Sequence, residues 1–496
     1  MAWLPSLKSA VSAQATADML SRRHFTSSSL ASAILAPSYL HAGLLNGSAP
    51  ARPLPSARMF RSAAVERAIS NVQIKLGHVG TAAKLGQMFA QCFPNTLDTT
   101  VFFEERAGRP DTFVITGDIH AMWLRDSTAQ VWPYLRFARE DRALGLLLRG
   151  VVERQTRCVL LDPYANAFTR DAVPSKEHSN DETEMKLGVF ERKWELDSLC
   201  SVIRLADGYW RATGDRSPFG NEWRQAAMLI VRTMREQQRK TGPGPYRFQR
   251  QTSWNPDSVP GNGYGNPIRP VGLIVSLFRP SDDAAVFPFL VPANMFAAVM
   301  LRRLALLHEA LGSPAPMAAE CRALAEEVGS ALERHALLNH PDRGLIYAYE
   351  VDGFGNALFM DDANSPSLLS LPYIGWCAAD EPSYRRTRAF VLGSANPWFH
   401  SGSAAEGVGS PHTPGRRIWP IAIIMRALTS DSDVEIAGCL RTLARTDAAT
   451  GFMHEAFDAD NPSDFSRSWF AWANSLFGEL MLELAHQRPG VFKLLD

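Results

Sequence analysis

The sequence contains about twelve amphipathic segments with helical periodicity, separated by long loops rich in glycine and proline. Only short stretches read as β-strands, and they do not alternate regularly with the helices, which disfavours a TIM barrel or a Rossmann sheet. The strand-like stretches are 111–116, 245–249, 271–278 and 346–351. The predicted helices are 60–92, 126–139, 141–158, 195–213, 220–240, 292–312, 316–335, 364–376, 383–391, 418–430, 432–446 and 466–487.

Chain length limits how these helices can pack. A single hydrophobic core rarely grows beyond about 250–300 residues, and this chain has 496. A ring of six helical hairpins avoids the limit, because every helix then lies near a surface or near the axis. We therefore predict an all-α fold, an (α/α)6 toroid with a few short β-stretches in its loops. The folded part is expected to form one domain over residues 56–496.

Composition excludes several classes of function. Lys+Arg and Asp+Glu are equal at 51 each, so no net positive field favours nucleic acid. The mean hydropathy of −0.13 argues against a multi-span membrane protein. The six cysteines lie far apart with no CxxC pair, and no HExxH, P-loop or dinucleotide motif occurs. The sequence therefore predicts no cofactor and no metal site, and it leaves the oligomeric state open.

The first 55 residues read as a separate export signal and linker. Arg22 and Arg23 precede Phe25 and an apolar run of small residues, 30–45, which resembles a bacterial twin-arginine signal. Pro37 and His41 interrupt that run, so it is too short for a stable membrane span. An organellar transit peptide or a plain tail is the alternative. We expect an exported mature protein that is not inserted in a membrane.

A dense polar and aromatic cluster follows the first strand-like stretch. His120, Trp123, Arg125 and Asp126 occur within a few residues of one another. A tryptophan offers a flat apolar face to a pyranose ring, and Arg with Asp can bond adjacent hydroxyls. This combination indicates a sugar site, although Asp126 could simply cap a helix and pair with Arg125.

Two further segments carry carboxylates among apolar residues. Asp282 and Asp283 follow an apolar run, and adjacent like charges predict a raised pKa for at least one of them. A raised pKa suits a catalytic acid, while a helix cap with a first-turn acid is the alternative. Glu455, beside His454, is surrounded by Phe, Met and Ala, which fits either a base or a satisfied buried pair.

Nine sequence motifs follow one another along the chain. They are TGDIHAMWLRDSTAQVWPYL, DPYANAF, KWELDSL, GNPIRPVGLIVSLFRPSDDAAVFPFLVPANMF, YAYEVDGFGN, MDDANSPSLLSLPY, AAEGVGSPHT, GFMHEAF and RSWFAWAN. In these motifs the chain resembles glycoside hydrolase family 125, whose members are exo-acting α-1,6-mannosidases. The resemblance runs in order from about residue 60 to the C-terminus. It implies an (α/α)6 toroid, metal-independent catalysis, inversion at the anomeric carbon and a mannose-containing glycan as substrate.

The resemblance also implies roles for individual residues. The general base falls on Glu455, and the general acid falls on Asp282 or Asp283. Neighbouring side chains point in different directions, so we expect only one of the two to face the pocket. We choose Asp282 as the acid and keep Asp283 as a sugar-binding neighbour. The expected substrate-binding residues are His120, Trp123, Arg125, Asp126, Asp283, Asn294 and His454. The alternatives are another toroid hydrolase or phosphorylase, or an inactive glycan-binding protein.

The twin-arginine interpretation makes a direct prediction. Replacing both Arg22 and Arg23 with lysine should leave the precursor in the cytoplasm, because the export receptor reads that arginine pair. Fractionation followed by immunoblotting measures this. Unchanged export of the double variant would show that the N-terminal segment uses another route.

Overall fold

The structure is a computed structural model that describes residues 52–495. Thirteen α-helices occur in this part of the chain. They are α1 (Ala63–Leu76), α2 (Gly80–Cys92), α3 (Asn95–Thr99), α4 (Leu124–Val131), α5 (Arg142–Leu161), α6 (Leu196–Thr213), α7 (Asn221–Glu236), α8 (Val291–Ala310), α9 (Ala315–His335), α10 (Pro382–Val391), α11 (Pro420–Leu428), α12 (Asp433–Arg445) and α13 (Ala471–Gln487). The predicted export signal lies outside the described residues.

The strands are short and form small antiparallel sheets in the loops. They pair as β1 with β2, β3–β4–β5, β6–β9–β10, β7 with β8, β11 with β12, and β13 with β14. Their bounds are β1 (Val101–Arg106), β2 (Arg109–Val114), β3 (Met122–Trp123), β4 (Ala167–Phe168), β5 (Val189–Glu191), β6 (Phe289–Leu290), β7 (Leu337–His340), β8 (Gly344–Tyr347), β9 (Glu350–Val351), β10 (Ala357–Leu358), β11 (Phe399–Ser401), β12 (Glu406–Val408), β13 (Arg417–Ile418) and β14 (Phe457–Asp458).

The helices form two concentric layers. In the inner layer, α4 contacts α6, α6 contacts α8, α11 contacts α13, and α13 returns to α4. In the outer layer, α5 packs on α6, α9 on α8, α12 on α11 and α2 on α13. Helices α8 and α13 are buried around most of their circumference, as inner helices must be. The predicted all-α toroid is confirmed.

The helix predicted over residues 364–376 is wrong. Residues 364–376 form turns, although they lie between α8 and α11 and take the place of an inner helix. Pro366 and Pro372 cannot donate helical hydrogen bonds. The buried Asp361 carboxylate instead accepts from the backbone N–H groups of Leu368 and Leu369, at 2.8 and 2.9 Å. The side chain thus satisfies donors that a helix would have paired internally.

Other boundaries also differ from the predicted ones. Residues 60–92 form two helices because Gly77, with φ of +77°, ends α1 in a conformation that favours glycine. The stretches 245–249 and 271–278 make only isolated bridges, at Gln249 and Phe278. Arg52 bonds Asp98 (2.6 Å) and Glu66, so ordered contacts begin slightly before the expected domain start.

The fold gathers the loops that precede the inner helices at one end of the ring. Strand β3 leads into α4, β5 precedes α6, β6 leads into α8, and β13 leads into α11. The backbone N–H groups at these helix starts lend positive potential to that end, which suits side chains that carry negative charge. Among residues 52–495, no helix combines the length and the apolar character that crossing a bilayer requires.

Candidate active site

A cavity opens at this end of the ring. It encloses about 410 Å³, counting the part open to solvent. Its walls combine charged and aromatic side chains from every loop that the sequence singled out. The lining residues are Thr116, Ile119, Trp123, Arg125, Asp126, Pro280, Ser281, Asp282, Asn364, His412, Trp419, Glu455, Arg467, Phe470 and Trp472.

Arg125, in the first turn of α4, lies at the bottom of this cavity. Its Nη1 donates to Glu195 (2.6 Å) and Asp197 (3.2 Å), and its Nη2 donates to Asp282 Oδ1 (3.1 Å). Its Nε lies 3.6 Å from Asp126. Arg125 also lies over the ring of Trp472. A single buried guanidinium therefore faces four carboxyl groups.

One guanidinium cannot neutralise four carboxylates, and three of them, Asp126, Glu195 and Asp197, are buried, so their charged forms are disfavoured. Burial raises the pKa of Asp126 to about 6, even though Arg125 opposes the change. Burial likewise raises the pKa of Glu195 well above its usual value, and it raises that of Asp197. Desolvation of the charged form is the dominant cause in each case.

Asp282 does not have the raised pKa that suits a catalytic acid. Burial acts to raise its pKa, but the charge of Arg125 and a hydrogen bond with Glu195 outweigh burial. The pKa of Asp282 therefore lies below its ordinary value, and the raised pKa belongs to Glu195. Local sequence does not indicate this pairing, because Glu195 lies at the start of α6, far from Asp282 in the chain.

The backbone at Asp282 is in the left-handed region, with φ of +65°. This conformation costs a non-glycine residue roughly 1–2 kcal/mol, although Asp tolerates it better than most. The turn is held at both ends, because Arg279 N–H donates to Asp283 O (2.8 Å) and Asp282 N–H donates to Arg279 O (2.9 Å). Lys193 Nζ donates to the Asp282 carbonyl at 2.8 Å. In this backbone conformation the side chains of Asp282 and Asp283 point in different directions.

Asp282 lines the cavity, whereas Asp283 is buried behind it. Asp283 Oδ1 lies 3.1 Å from His412 Nδ1. Burial alone would lower the pKa of His412, but the hydrogen bond and charge of Asp283 raise it to about 9. The imidazole is therefore protonated at neutral pH and places a positive charge in the cavity wall.

Glu455 lines the cavity from the loop between α12 and α13. Its Oε2 accepts a hydrogen bond from Ser466 Oγ at 2.7 Å. Its Oε1 lies 3.6 Å from Arg467 Nη1, and Arg467 Nε lies equally far from the exposed Asp118. A hydroxyl donor and a nearby cation thus hold the Glu455 carboxyl group in position.

The other predicted binding residues lie outside the cavity lining. His120 is exposed in the loop before β3. Asn294 is fully buried, and its amide holds the backbone of Ile274 at 2.8 and 2.9 Å. His454 stacks on Phe465 with ring centroids 4.1 Å apart, and its Nδ1 lies 3.0 Å from the Arg467 carbonyl. Asn294 and His454 thus brace the site's framework.

The cavity walls contain unpaired polar atoms beside aromatic rings. Three buried atoms of lining residues have no hydrogen-bond partner in the described structure, namely Thr116 Oγ1, Trp123 Nε1 and Arg125 Nε. Buried polar atoms are normally satisfied, so such atoms in a cavity indicate a ligand with many polar groups. Trp123, Trp419, Phe470 and Trp472 supply the apolar faces. The arrangement suits a molecule with hydroxyl groups and a flat hydrocarbon face.

Several site residues received no role from the sequence, namely Thr116, His412, Trp419, Arg467 and Glu195. The first four line the cavity and Glu195 binds Arg125, through long-range packing that local sequence does not report. Within residues 52–495, no group of His, Cys, Asp and Glu side chains is arranged to hold a metal ion.

Comparison with known proteins agrees with this fold. Residues 82–482 match the metal-independent alpha-mannosidases of glycoside hydrolase family 125 (GH125), and the chain belongs to that family.

Two relatives span most of the chain. The meiotically up-regulated gene 157 protein of Schizosaccharomyces pombe is 40% identical over 464 residues, which cover 89% of each chain. A solved metal-independent alpha-mannosidase from Streptococcus pneumoniae is 39% identical, covers 87% of this chain and 100% of its own, and has a TM-score of 0.83. That structure is a non-productive substrate complex with alpha-1,6-mannobiose.

Proposed function

We propose that this protein is an exo-acting α-1,6-mannosidase that hydrolyses its substrate with inversion, using Asp282 as general acid and Glu455 as general base. The observation that carries the proposal is that both carboxyl groups line one cavity in a chain of the GH125 family. The relative from Streptococcus pneumoniae, solved with alpha-1,6-mannobiose, supports the linkage. A mannose-containing glycan is the substrate that fits.

The shape of the cavity supports action at chain ends. Arg125 and Trp472 line the bottom of this cavity and also line a second, smaller cavity nearer the middle of the ring. They therefore separate the two spaces and close the first one from below. A pocket closed at one end accepts a terminal sugar residue and has no exit for a chain that continues.

The acid step uses the carboxyl group of Asp282. As the bond between the anomeric carbon and the glycosidic oxygen breaks, its electron pair stays on that oxygen, which takes the proton of Asp282. A poor leaving group needs this proton, and such assistance is typically worth about 10²–10⁴-fold in rate. Lys193 fixes the backbone of Asp282, and Arg125 fixes its side chain, so the donor is held in place.

The base step uses Glu455. Its ionised carboxylate takes a proton from a water molecule that attacks the anomeric carbon on the face opposite to the leaving group. Ser466 occupies one carboxylate oxygen, which leaves the other free to accept that proton. Positive charge develops on the sugar ring in the transition state, and the carboxylates around Arg125 stabilise it electrostatically.

Two alternatives make different demands on this site. A phosphorylase needs a cationic pocket for phosphate beside the base, and Arg467 and the protonated His412 are cations near Glu455 among the lining residues. An inactive glycan-binding protein needs neither carboxylate. Incubation with α-1,6-mannobiose, with EDTA and with or without phosphate, separates the three. We expect free mannose, unaffected by EDTA or phosphate; mannose 1-phosphate, a requirement for added metal, or binding without release would contradict the proposal.

Removing each carboxyl group should have a different signature. Asp282→Asn removes the proton donor, so turnover of mannobiose should fall about 10²–10⁴-fold, while an aryl mannoside with an acidic phenol should lose much less. Glu455→Gln removes the base, so both substrates should lose rate alike. Steady-state kinetics on the two substrates measure the difference.

Two control variants complete this experiment. Asp118→Asn removes a carboxylate that approaches Arg467 as closely as Glu455 does but does not line the cavity, and it should stay near wild type. Asp283→Asn tests the register of the acid. If Asp283→Asn, and not Asp282→Asn, spares the aryl mannoside, the acid is Asp283 and our assignment is wrong.

A further inference from the structure

Glu195 has a place in the site that the two-carboxylate scheme does not use. Its side chain is completely buried at the start of α6, and it binds the same guanidinium as Asp282. The two terminal nitrogens of Arg125 donate to Glu195 Oε2 and Asp282 Oδ1, so the two carboxyl groups lie side by side on one guanidinium. They can bond each other only if one of them is protonated, because two carboxylates only accept. Repulsion between two carboxylates in this position favours one shared proton.

We propose that Glu195 is a positioning residue that shares this proton with Asp282, and that the shared proton makes Asp282 a competent acid at neutral pH. The inference rests on the proposed function, because it presumes that Asp282 is the acid. It adds a residue that touches the acid and is not expected to touch the sugar, since Glu195 does not line the cavity.

The surroundings of Glu195 indicate where the proton rests before substrate arrives. Glu195 Oε2 accepts from Arg125 (2.6 Å) and Ser198 Oγ (2.8 Å), which favour a charged oxygen. Oε1 accepts only a longer bond from Asn166 Nδ2, at 3.2 Å, and is the oxygen better able to carry a proton. Asp282 has the greater access to solvent, with a side chain 26% exposed against 0% for Glu195. The resting charge is therefore on Asp282 and the resting proton is on Glu195.

Substrate binding should reverse this distribution. A sugar in the cavity removes water from Asp282 and changes little at Glu195, which is already dry. Desolvation raises the pKa of a carboxyl group, so it acts selectively on Asp282. The proton moves from Glu195 to Asp282, Glu195 becomes a carboxylate held by Arg125, and Asp282 gives the proton to the glycosidic oxygen. After product leaves, the doubly ionised pair regains one proton from solvent.

Other charged groups near Glu195 and Asp282 also affect the protonation of the pair, some favouring and some opposing its ionised state. Lys193, His412 and Arg467 favour its ionised state, and Glu191, Asp126 and Asp197 oppose it. Two interacting carboxyl groups titrate as a pair, so the alkaline limb of kcat/KM reports the loss of the pair's last proton.

The test is the pH profile of kcat/KM on α-1,6-mannobiose. In Glu195→Gln, Asp282 titrates alone beside Arg125 and loses its proton at lower pH, so the alkaline limb should move down by about one pH unit or more. In Ser198→Ala, the Glu195 carboxylate loses a donor that stabilises its charge, so the limb should move up. In Glu195→Asp, which keeps a carboxyl group, the alkaline limb should return part of the way to its wild-type position. In Glu195→Gln, the rate on an aryl mannoside with an acidic phenol should fall less than the rate on mannobiose.

The matched control is Asp197→Asn, which removes a carboxyl group from the same Arg125 nitrogen and should move the limb less than Glu195→Gln does. An unmoved limb in Glu195→Gln, with Asp282→Asn still sparing the aryl mannoside, would overturn this inference and leave the proposed function intact. Loss of that leaving-group dependence in Asp282→Asn would overturn the proposed function itself. If Glu195→Gln does not fold, a downward or absent shift in Ser198→Ala contradicts the inference.

Discussion

The contact between Arg125 and the four carboxyl groups around it is the interaction on which the site depends. Three of those groups come from other parts of the chain than α4, namely the start of α6 and the turn at Asp282. A buried guanidinium without partners would be costly, and so would the carboxylates without the guanidinium. The shared ion cluster therefore fixes the relative positions of α4, α6 and the turn that carries the proposed acid.

The ring of helices holds this charged cluster in place and stabilises it. Inner helices α4, α6, α8 and α13 pack side by side, and the first turns of α4 and α13 contribute Arg125, Asp126 and Trp472 to the cavity. The positive potential at those ends offsets part of the cluster's negative charge. Glu350 adds a second anchor, because it binds Arg279 at 2.6 Å and the N–H groups of Val286 and Phe287 at 2.9 Å. The strained turn at Asp282 is thus held from both sides.

The two proposed catalytic groups occupy different electrostatic environments. Asp282 lies in the carboxyl cluster around Arg125, while Glu455 has a hydroxyl donor and Arg467 beside it. Acid and base catalysis by two carboxyl groups requires that their environments differ. The difference arises from neighbours far apart in sequence and not from the local motifs around either residue.

Sequence predicted the architecture well because helical periodicity and chain length are global properties of the chain. It also identified Trp123, Arg125, Asp126, Asp282 and Glu455, which all line the cavity, because polar and aromatic clusters in loops are visible locally. It failed at 364–376, where Asp361 replaces helical hydrogen bonds, and it placed Asn294 and His454 in binding roles although both support the framework. It could not reveal the Glu195–Asp282 pair, which exists only once α6 and the Asp282 turn meet at Arg125.

The central claim is that Glu455 activates water for direct displacement on the face opposite to the glycosidic oxygen. Proton NMR of the first mannose released from α-1,6-mannobiose tests it most directly, provided that spectra are recorded before the free sugar mutarotates. The account predicts that β-mannose appears first and that the α-anomer grows in later. Initial release of α-mannose would mean a covalent intermediate on one carboxylate, and it would contradict the roles assigned to Asp282 and Glu455.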